Sequence, residues 1–482
     1  MLKSGQKHLE SLKDGRVVYI GSELITDVTE HPAFRNGART VARLFDIKAA
    51  AANAETMSFE ENGERFSIYY LRPRSRDDLV RRMLGHKFWA DATYGLFGRS
   101  PDHVASFITA LAMQPEVFED GGHDFKGNLL RYYDHIRRDD VYCCYAVLPP
   151  QGARNPQLYQ RANMKVPTLR VTAEDVHGVT LNGMKMLGTG GVFCNDIWVG
   201  NLLPLAPGQE MESITCAVPA NAKGLSMWSR KPYERDATSE FDNPLASRFD
   251  ETDVMVLFED VKVPWEKVFT HNNVALSREI YIKTASHCFG NHQSNVRFWS
   301  KLRFIIGLAS KMTQSSGNDQ IPAVRETLGR LANYEGALAG MIYGQCMNYE
   351  TLTNGYVSFN RRYMYGALQW CTQTYWEIIN TVRELMGGGV FQMPADSSIV
   401  KDPHLARQFN YYWSTPTQTA IQRMKLLKLV WDMVGSEFAS RHFQYEKFYS
   451  GPPFILSNHG IREAPWAELQ GIVDDLMRTY DI

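Results

Sequence analysis

The distribution of apolar and polar positions changes character twice along the chain. Up to about residue 140 apolar residues recur at helical spacing, as in Leu79, Met83 and Leu84, and again in Val104, Phe107 and Ile108. Asp102, following Pro101, reads as the N-cap of the second of these helices. From Cys143 to about Val268 the pattern is extended. Leu169-Arg170-Val171 alternates, His177-Gly178 reads as a turn, Val179 and Leu181 alternate again, and Asn182-Gly183 predicts a hairpin because both residues tolerate positive φ. Apolar runs at 197–200, 214–218 and 253–258 complete an expected compact antiparallel β-domain of about 125 residues. Helix returns from about Asn273, with Leu302, Ile305, Ile306 and Ala309 forming one stripe and residues 321–353, 358–386 and 403–447 three more long helical stretches. The expected organisation is a helical part over 1–142, a β-barrel over 143–272 and a helical bundle with a C-terminal tail over 273–482, an α+β chain. Gly387-Gly388-Gly389 between two bundle helices is either a helix C-cap with a turn or a place of close backbone approach to a ligand.

Composition changes this picture little. The chain has 482 residues and a net charge of -1, so no strong field favours nucleic acid or an anionic membrane. The first residues, Met1-Leu2-Lys3-Ser4-Gly5-Gln6-Lys7, lack the apolar run of a secretory leader, and no stretch approaches the ~20 apolar residues of a membrane helix. Seven scattered cysteines form no C-x-x-C pair, which argues against a zinc ribbon or a redox dithiol and for a reduced, cytoplasmic setting.

The common nucleotide and hydrolase motifs are missing. Gly188-Thr189-Gly190-Gly191-Val192-Phe193 lacks the third glycine of a dinucleotide fingerprint and precedes no expected helix. Walker A, H-E-x-x-H and G-x-S-x-G patterns are absent as well.

Six blocks in order carry a resemblance. They are residues 27–36 (DVTEHPAFRN), Gly98-Arg99-Ser100-Pro101-Asp102-His103, residues 183–190 (GMKMLGTG), Ile197-Trp198-Val199-Gly200-Asn201, residues 241–250 (FDNPLASRFD) and residues 431–438 (WDMVGSEF). Together they resemble the large-component family of 4-hydroxyphenylacetate 3-monooxygenase, which also holds chlorophenol and nitrophenol monooxygenases and 4-hydroxybutyryl-CoA dehydratases. The resemblance implies an acyl-CoA-dehydrogenase-like fold with a helical N-terminal part, a central β-barrel and a C-terminal four-helix bundle, usually as a homotetramer. It implies FAD, delivered as FADH2 by a separate NAD(P)H:flavin reductase, with O2 as co-substrate. A flavin C4a-hydroperoxide then hydroxylates a phenol-like ring, with or without loss of a halide or nitro group.

Arg99 and His103 are the central candidates. Four residues apart at a helix mouth, they favour an anion; a cation beside a phenol lowers its pKa, and a histidine exchanges its proton. The matching family positions contact the substrate hydroxyl. Residues 145–154 match the family's flavin segment and contribute Tyr145, Ala146, Val147, Gln151, Gly152, Ala153 and Arg154. Tyr145 stands where the 4-hydroxyphenylacetate branch has a substrate-binding histidine, and Gln151 with Arg154 resembles the halophenol and nitrophenol branch. Arg154 would meet the FAD pyrophosphate and Gln151 the isoalloxazine edge. Thr189 matches a residue near flavin N5, and Arg441, His442 and Tyr445 match C-terminal flavin contacts. His292 matches an active-site histidine, with His287 as its rival. No metal is expected, because the dehydratase branch places cluster cysteines where this chain has Arg99, His103 and Trp299. The alternative is a flavin-binding oxidoreductase of the acyl-CoA dehydrogenase type acting on a non-phenolic substrate.

Overall fold

The computed structural model describes residues 2–118 and 122–480. Among the described residues most extended segments form two large sheets, beside two short two-stranded ones, Ser58–Glu61 with Glu64–Ser67 and Glu350–Thr351 with Val357–Ser358. The larger has six strands in the order Glu23–Ile25, Val17–Ile20, Leu225–Ser229, Asp253–Pro264, Gly178–Thr189 and Arg170–Asp175; the smaller has the order Val268–Thr270, Thr215–Pro219, Asp196–Val199 and Cys143–Ala146. Neither sheet closes, so the expected antiparallel barrel is corrected to two open sheets. Each also contains one parallel pair, Val17–Ile20 with Leu225–Ser229 and Cys143–Ala146 with Asp196–Val199. These partners lie far apart in sequence, where local hairpin signals say nothing about direction. Two strands of the six-stranded sheet come from residues 17–25, inside the helical first segment.

The turn at His177-Gly178 joins the strands Arg170–Asp175 and Gly178–Thr189 as expected. Asn182-Gly183 is not a hairpin turn. It lies within the long strand Gly178–Thr189, beside an irregularity in the pairing with Asp253–Pro264. Gly183 has φ 121°, and a Cβ there would stand 2.3 Å from the Thr168 carbonyl oxygen, so glycine serves a close crossing of chains. The Asn182 amide donates to the Asp260 carboxylate across the sheet.

Both sheets and the first helices share one apolar core. A second core lies among the C-terminal helices, where Ser286–Ser315 packs against Pro322–Met347, Arg361–Met386 and Ala420–Val434. The expected helix over 403–447 is three helices, Pro403–Trp413, Ala420–Val434 and Glu437–Lys447. Pro416 interrupts the first junction, and Thr419 starts the next helix with a capping box to Gln422. Gly435 ends it against the Trp431 ring, and Ser436 caps the third. Gly387 is the C-cap of Arg361–Met386, with nothing near its missing Cβ, which selects the capping role.

The helix Pro101–Met113 positions the candidate site. Every one of its residues is buried; most are apolar, and Asp102, His103, Ser106 and Thr109 are hydrogen-bonded inside. Ser100 is its N-cap position and Pro101 its first residue, so the cap lies two residues before the expected Asp102, which instead sits in the first turn. Gly290 lets the helix Ser286–Ser315 cross closely, since a Cβ there would stand 1.8 Å from the Phe107 ring.

Candidate active site

Arg99 and His103 meet. The turn before Pro101 and the first helical turn after it bring Arg99 Nη1 to 2.8 Å from His103 Nε2, while Arg99 Nη2 donates to the Tyr449 carbonyl at 2.9 Å. The guanidinium lies 3.9 Å from the Tyr449 ring and also faces Tyr145 and Tyr445. Among the described residues no carboxylate pairs with its side chain. Burial works against the charge, but the facing tyrosines and Glu251 hold the Arg99 pKa above its ordinary value. Burial and the charge of Arg99 keep His103 well below the ordinary imidazole range, so it is neutral. His103 stacks on Tyr145 at 5.6 Å. Burial lifts the Tyr145 hydroxyl above its ordinary pKa although Arg99 pulls it down.

Beside this pair lies a small apolar cavity lined by Val104, Phe107, Tyr145, Val147, Trp198 and Tyr281. The Trp198 indole N–H donates to the Tyr281 hydroxyl at 2.9 Å, which satisfies the one polar atom of the indole. The cavity wall is therefore mainly aromatic, with Leu202 completing it, and the Arg99 guanidinium lies 5.2 Å from the ring of its lining residue Tyr145.

The two histidines on Ser286–Ser315 face different ways. His292 is fully buried, stacked at 3.5 Å on Phe359, with Nδ1 2.7 Å from Gln345 Oε1. No contact joins it to Arg99 or to the cavity. His287 faces Phe107, a cavity wall residue, at 6.3 Å and bonds the Tyr365 hydroxyl at 2.6 Å. Burial and the neighbouring His459 and arginines push its pKa down to about 3.

Thr189 and Arg441 converge on one carboxylate. Thr189 Oγ1 donates to Asp253 at 2.6 Å, and Arg441 holds the same carboxylate through Nε and Nη2 at 3.0 and 2.8 Å. Arg441 Nη1 donates to Glu251 Oε1 at 2.9 Å, and Glu251 Oε2 accepts the backbone N–H groups of Gly98 and Arg99 at 2.8 and 2.9 Å. Glu251 thus ties the helix Glu437–Lys447 to the turn that carries Arg99. Tyr445 lies under Arg441 at 4.0 Å, and only a glycine at 98 fits against its hydroxyl. His442 is buried, its Nδ1 3.0 Å from Lys301 Nζ. Lys301 and Arg297 share Glu446, whose carboxyl is held down at about 2 by the two cations despite its burial.

The segment after the strand Cys143–Ala146 runs beside Gly178–Thr189, where Met186 N donates to the Leu148 carbonyl at 2.8 Å. Ala146 and Val147 are buried, as is Ala153. Gln151, Gly152 and Arg154 are exposed on a short turn, Gly152–Arg154. They stand apart from the Asp253 cluster.

Two family models divide the chain between them. The 4-hydroxyphenylacetate 3-hydroxylase N-terminal model matches residues 4–270 and the C-terminal model residues 277–478. The chain belongs to the 4-hydroxyphenylacetate 3-hydroxylase family. It is 30% identical to the oxygenase component of 4-nitrophenol 2-monooxygenase from Rhodococcus sp., covering 99% of this chain and 92% of that protein. It is 28% identical to the 4-hydroxyphenylacetate 3-monooxygenase oxygenase component from Thermus thermophilus, covering 94% and 92%. Among solved structures, the HpaB oxygenase component complexed with FAD and 4-hydroxyphenylacetate aligns with a TM-score of 0.91 at 27% identity, covering 99% of this chain and all of that one. A 4-hydroxybutyryl-CoA dehydratase aligns with a TM-score of 0.87 at 18% identity, a likeness of fold.

Membership of this family agrees with the resemblance carried by the six sequence blocks. Sequence reasoning missed Glu251, Asp253 and Gln293. The acidic run Asp250-Glu251-Thr252-Asp253 resembles a solvated loop in sequence, yet Glu251 is buried at 1% exposure. Among the described residues there is no group of side chains fit to hold a metal, and no helix is long and apolar enough to cross a membrane.

Proposed function

We propose that this chain is the oxygenase component of a two-component, FADH2-dependent monooxygenase that hydroxylates a phenol-like ring. The observation that carries the reading is the buried Arg99 guanidinium, unpaired by any described carboxylate and framed by tyrosine rings beside an aromatic cavity. A neutral ligand gains little from such a cation, whereas a phenolate gains a charge-assisted hydrogen bond. The overall balance is phenol plus FADH2 plus O2 giving catechol, FAD and water.

The residues present fit a flavin. Arg154 and Gln151 are exposed and engaged in no described side-chain bond, which suits a pyrophosphate and a polar ring edge. Thr189, at the end of its strand, and Arg441, on the helix Glu437–Lys447, are buried on the Asp253 carboxylate; the Thr189 hydrogen is committed there, so a planar ring would meet its oxygen as an acceptor and the remaining N–H groups of Arg441 as donors. Reduced FAD, when bound, supplies the activated oxygen. The chain's own residues do the rest. Arg99 holds the phenol oxygen and favours its ionised form, which makes the ring the better nucleophile. Neutral His103 presents Nε2 as an acceptor beside it. Phe107, Tyr145 and Trp198 supply the aromatic wall against which a ring would pack once the small cavity widens around it. His287, beyond Phe107, is placed better than His292 to exchange a proton with the ligand.

The finer reading includes the layout of an acyl-CoA-dehydrogenase-like fold, a separate flavin reductase, and a homotetramer. Exposed Phe391, Tyr411, Tyr412, Phe454 and Leu476 on the C-terminal helices support burial against other copies. A panel of phenols supplied with FAD and an unrelated flavin reductase tests the function. Formation of a catechol-type product from at least one phenol is expected; turnover of a non-phenolic acyl thioester alone would overturn the reading.

A further inference from the structure

A single file of buried hydrogen bonds runs away from Arg99. His103 Nδ1 lies 3.0 Å from Gln293 Oε1, and Gln293 Nε2 reaches Asp102 Oδ1 at 3.2 Å and Ser100 Oγ at 3.3 Å. Asp102 Oδ2 lies 2.7 Å from His86 Nδ1, and Ser100 Oγ donates to Asp102 Oδ1 at 2.5 Å. Each of these side chains is at most 5% exposed except Arg99 at 8%.

The direction of every bond in the file is forced from both ends. Arg99 only donates, so His103 Nε2 must accept and His103 Nδ1 must carry the proton. Asp102 Oδ1 already accepts the Ser100 hydroxyl and serves as an acceptor at this end, so the Gln293 amide turns its N–H toward Asp102 and its carbonyl toward His103. The two constraints meet on Gln293 and agree. We propose that Gln293 is a positioning residue that locks His103 in the Nδ1–H tautomer, with the Nε2 lone pair held at Arg99 where the phenol oxygen binds. The proposal rests on the reading of Arg99 and His103 as the phenol site.

His103 has other charged neighbours. Arg99 and Arg297 are the cations nearest it and His86 a further basic group, with Tyr145 and Tyr449 the titratable rings against it. Arg297 is paired with Glu446, and Glu251 binds the Arg99 backbone. Both flanking cations therefore oppose protonation of His103, and Gln293 is the group that bonds its second nitrogen. An apolar residue at 293 would leave the His103 Nδ1–H without its acceptor and free the ring to turn away from Arg99. A carboxylate at 293 would instead attract a second proton onto His103, placing an imidazolium against Arg99.

The test uses the full-length protein without flavin and 4-nitrophenol as the probe, because the colour of bound probe reports its ionisation. Spectral titration gives the pKa of bound 4-nitrophenol in the unaltered protein and in Gln293→Met and Gln293→Glu, each checked for an unchanged melting profile. Bound probe should ionise at lower pH than free probe in the unaltered protein. The Met variant should lose about one pH unit of that depression, roughly a tenfold change in the ionisation constant. In the Glu variant a new titration of His103 should appear in the probe's pH profile, which a merely structural role would not create. Equal profiles in all three proteins would overturn the role of Gln293 while leaving the phenol site standing. Failure of the unaltered protein to bind 4-nitrophenol, or any of the panel phenols, would overturn the phenol site and the proposal with it. If Gln293→Met does not fold, the Glu variant decides alone by the presence or absence of the new titration.

Discussion

Arg99 shows how one side chain can belong to two structures. Its backbone N–H is bound by Glu251 and its carbonyl accepts the Tyr142 hydroxyl at 2.6 Å, so the main chain is fixed, while the guanidinium donates to His103 and the Tyr449 carbonyl and keeps further N–H groups for a ligand. Replacing it by methionine keeps the volume and removes the charge. Arg99→Met should weaken phenol binding roughly ten- to a hundredfold, the worth of a charge-assisted hydrogen bond, and leave FAD binding unchanged, both measured by equilibrium titration. Comparable losses in the two affinities would refute the division of labour. The histidines separate in the same manner. His287→Ala should lower the ratio of hydroxylated product to hydrogen peroxide. His292→Ala should lower the melting temperature through loss of the Phe359 stack and the Gln345 bond, with that ratio kept. The reverse pattern would return the active-site role to His292. At this scale the sequence revealed residues whose chemistry is unusual in a short motif, as at Arg99 and His103. It hid Glu251, Asp253 and Gln293, because a buried carboxylate or amide is defined by distant partners that share no local pattern with it.

At the scale of elements, helices were more legible than strands. Of the stripe Leu302, Ile305, Ile306 and Ala309, the first, second and fourth lie on the buried face of Ser286–Ser315 and Ile306 is half-buried at its edge. The hairpin signal Asn182-Gly183 divides the strand Gly178–Thr189 in the sequence, but the positive φ of Gly183 alone serves a crossing of chains rather than a turn. Sheet closure and strand direction depend on long-range pairing and were not legible. The helices Ser286–Ser315 and Glu437–Lys447 are joined by Glu446 with Arg297 and Lys301, and this cluster has a pH signature. The folded-state pKa of Glu446 is depressed from 4.5 to about 2, so its stabilisation is complete above the unfolded value and is lost as pH falls from there through about 2. Glu446→Gln should cost about 3–5 kcal/mol near neutral pH by leaving two buried cations unneutralised. In thermal melts the gap between variant and parent should shrink steadily across the acid window. A gap independent of pH would contradict the ion-pair account.

At the scale of the molecule, two open sheets and a set of long helices clasp one fully buried helix, Pro101–Met113, and the site forms where its N-terminal end meets Ser286–Ser315 and the segment 441–449. Residues from positions 99, 145, 251, 293 and 441 come together only in the folded chain, which is why family membership was readable from scattered blocks while the geometry was not. The proposed function turns on one event, the transfer of oxygen from O2 onto a phenol ring. The most direct measurement is a single turnover of the protein loaded with reduced FAD and a phenol that binds it, mixed with isotopically heavy dioxygen, followed by mass analysis of the organic product. The account predicts one heavy oxygen atom on the ring of a catechol-type product, and loss of that label to hydrogen peroxide in Arg99→Met. Hydrogen peroxide as the sole oxygen product of the unaltered protein, with the phenol recovered unlabelled, would contradict it.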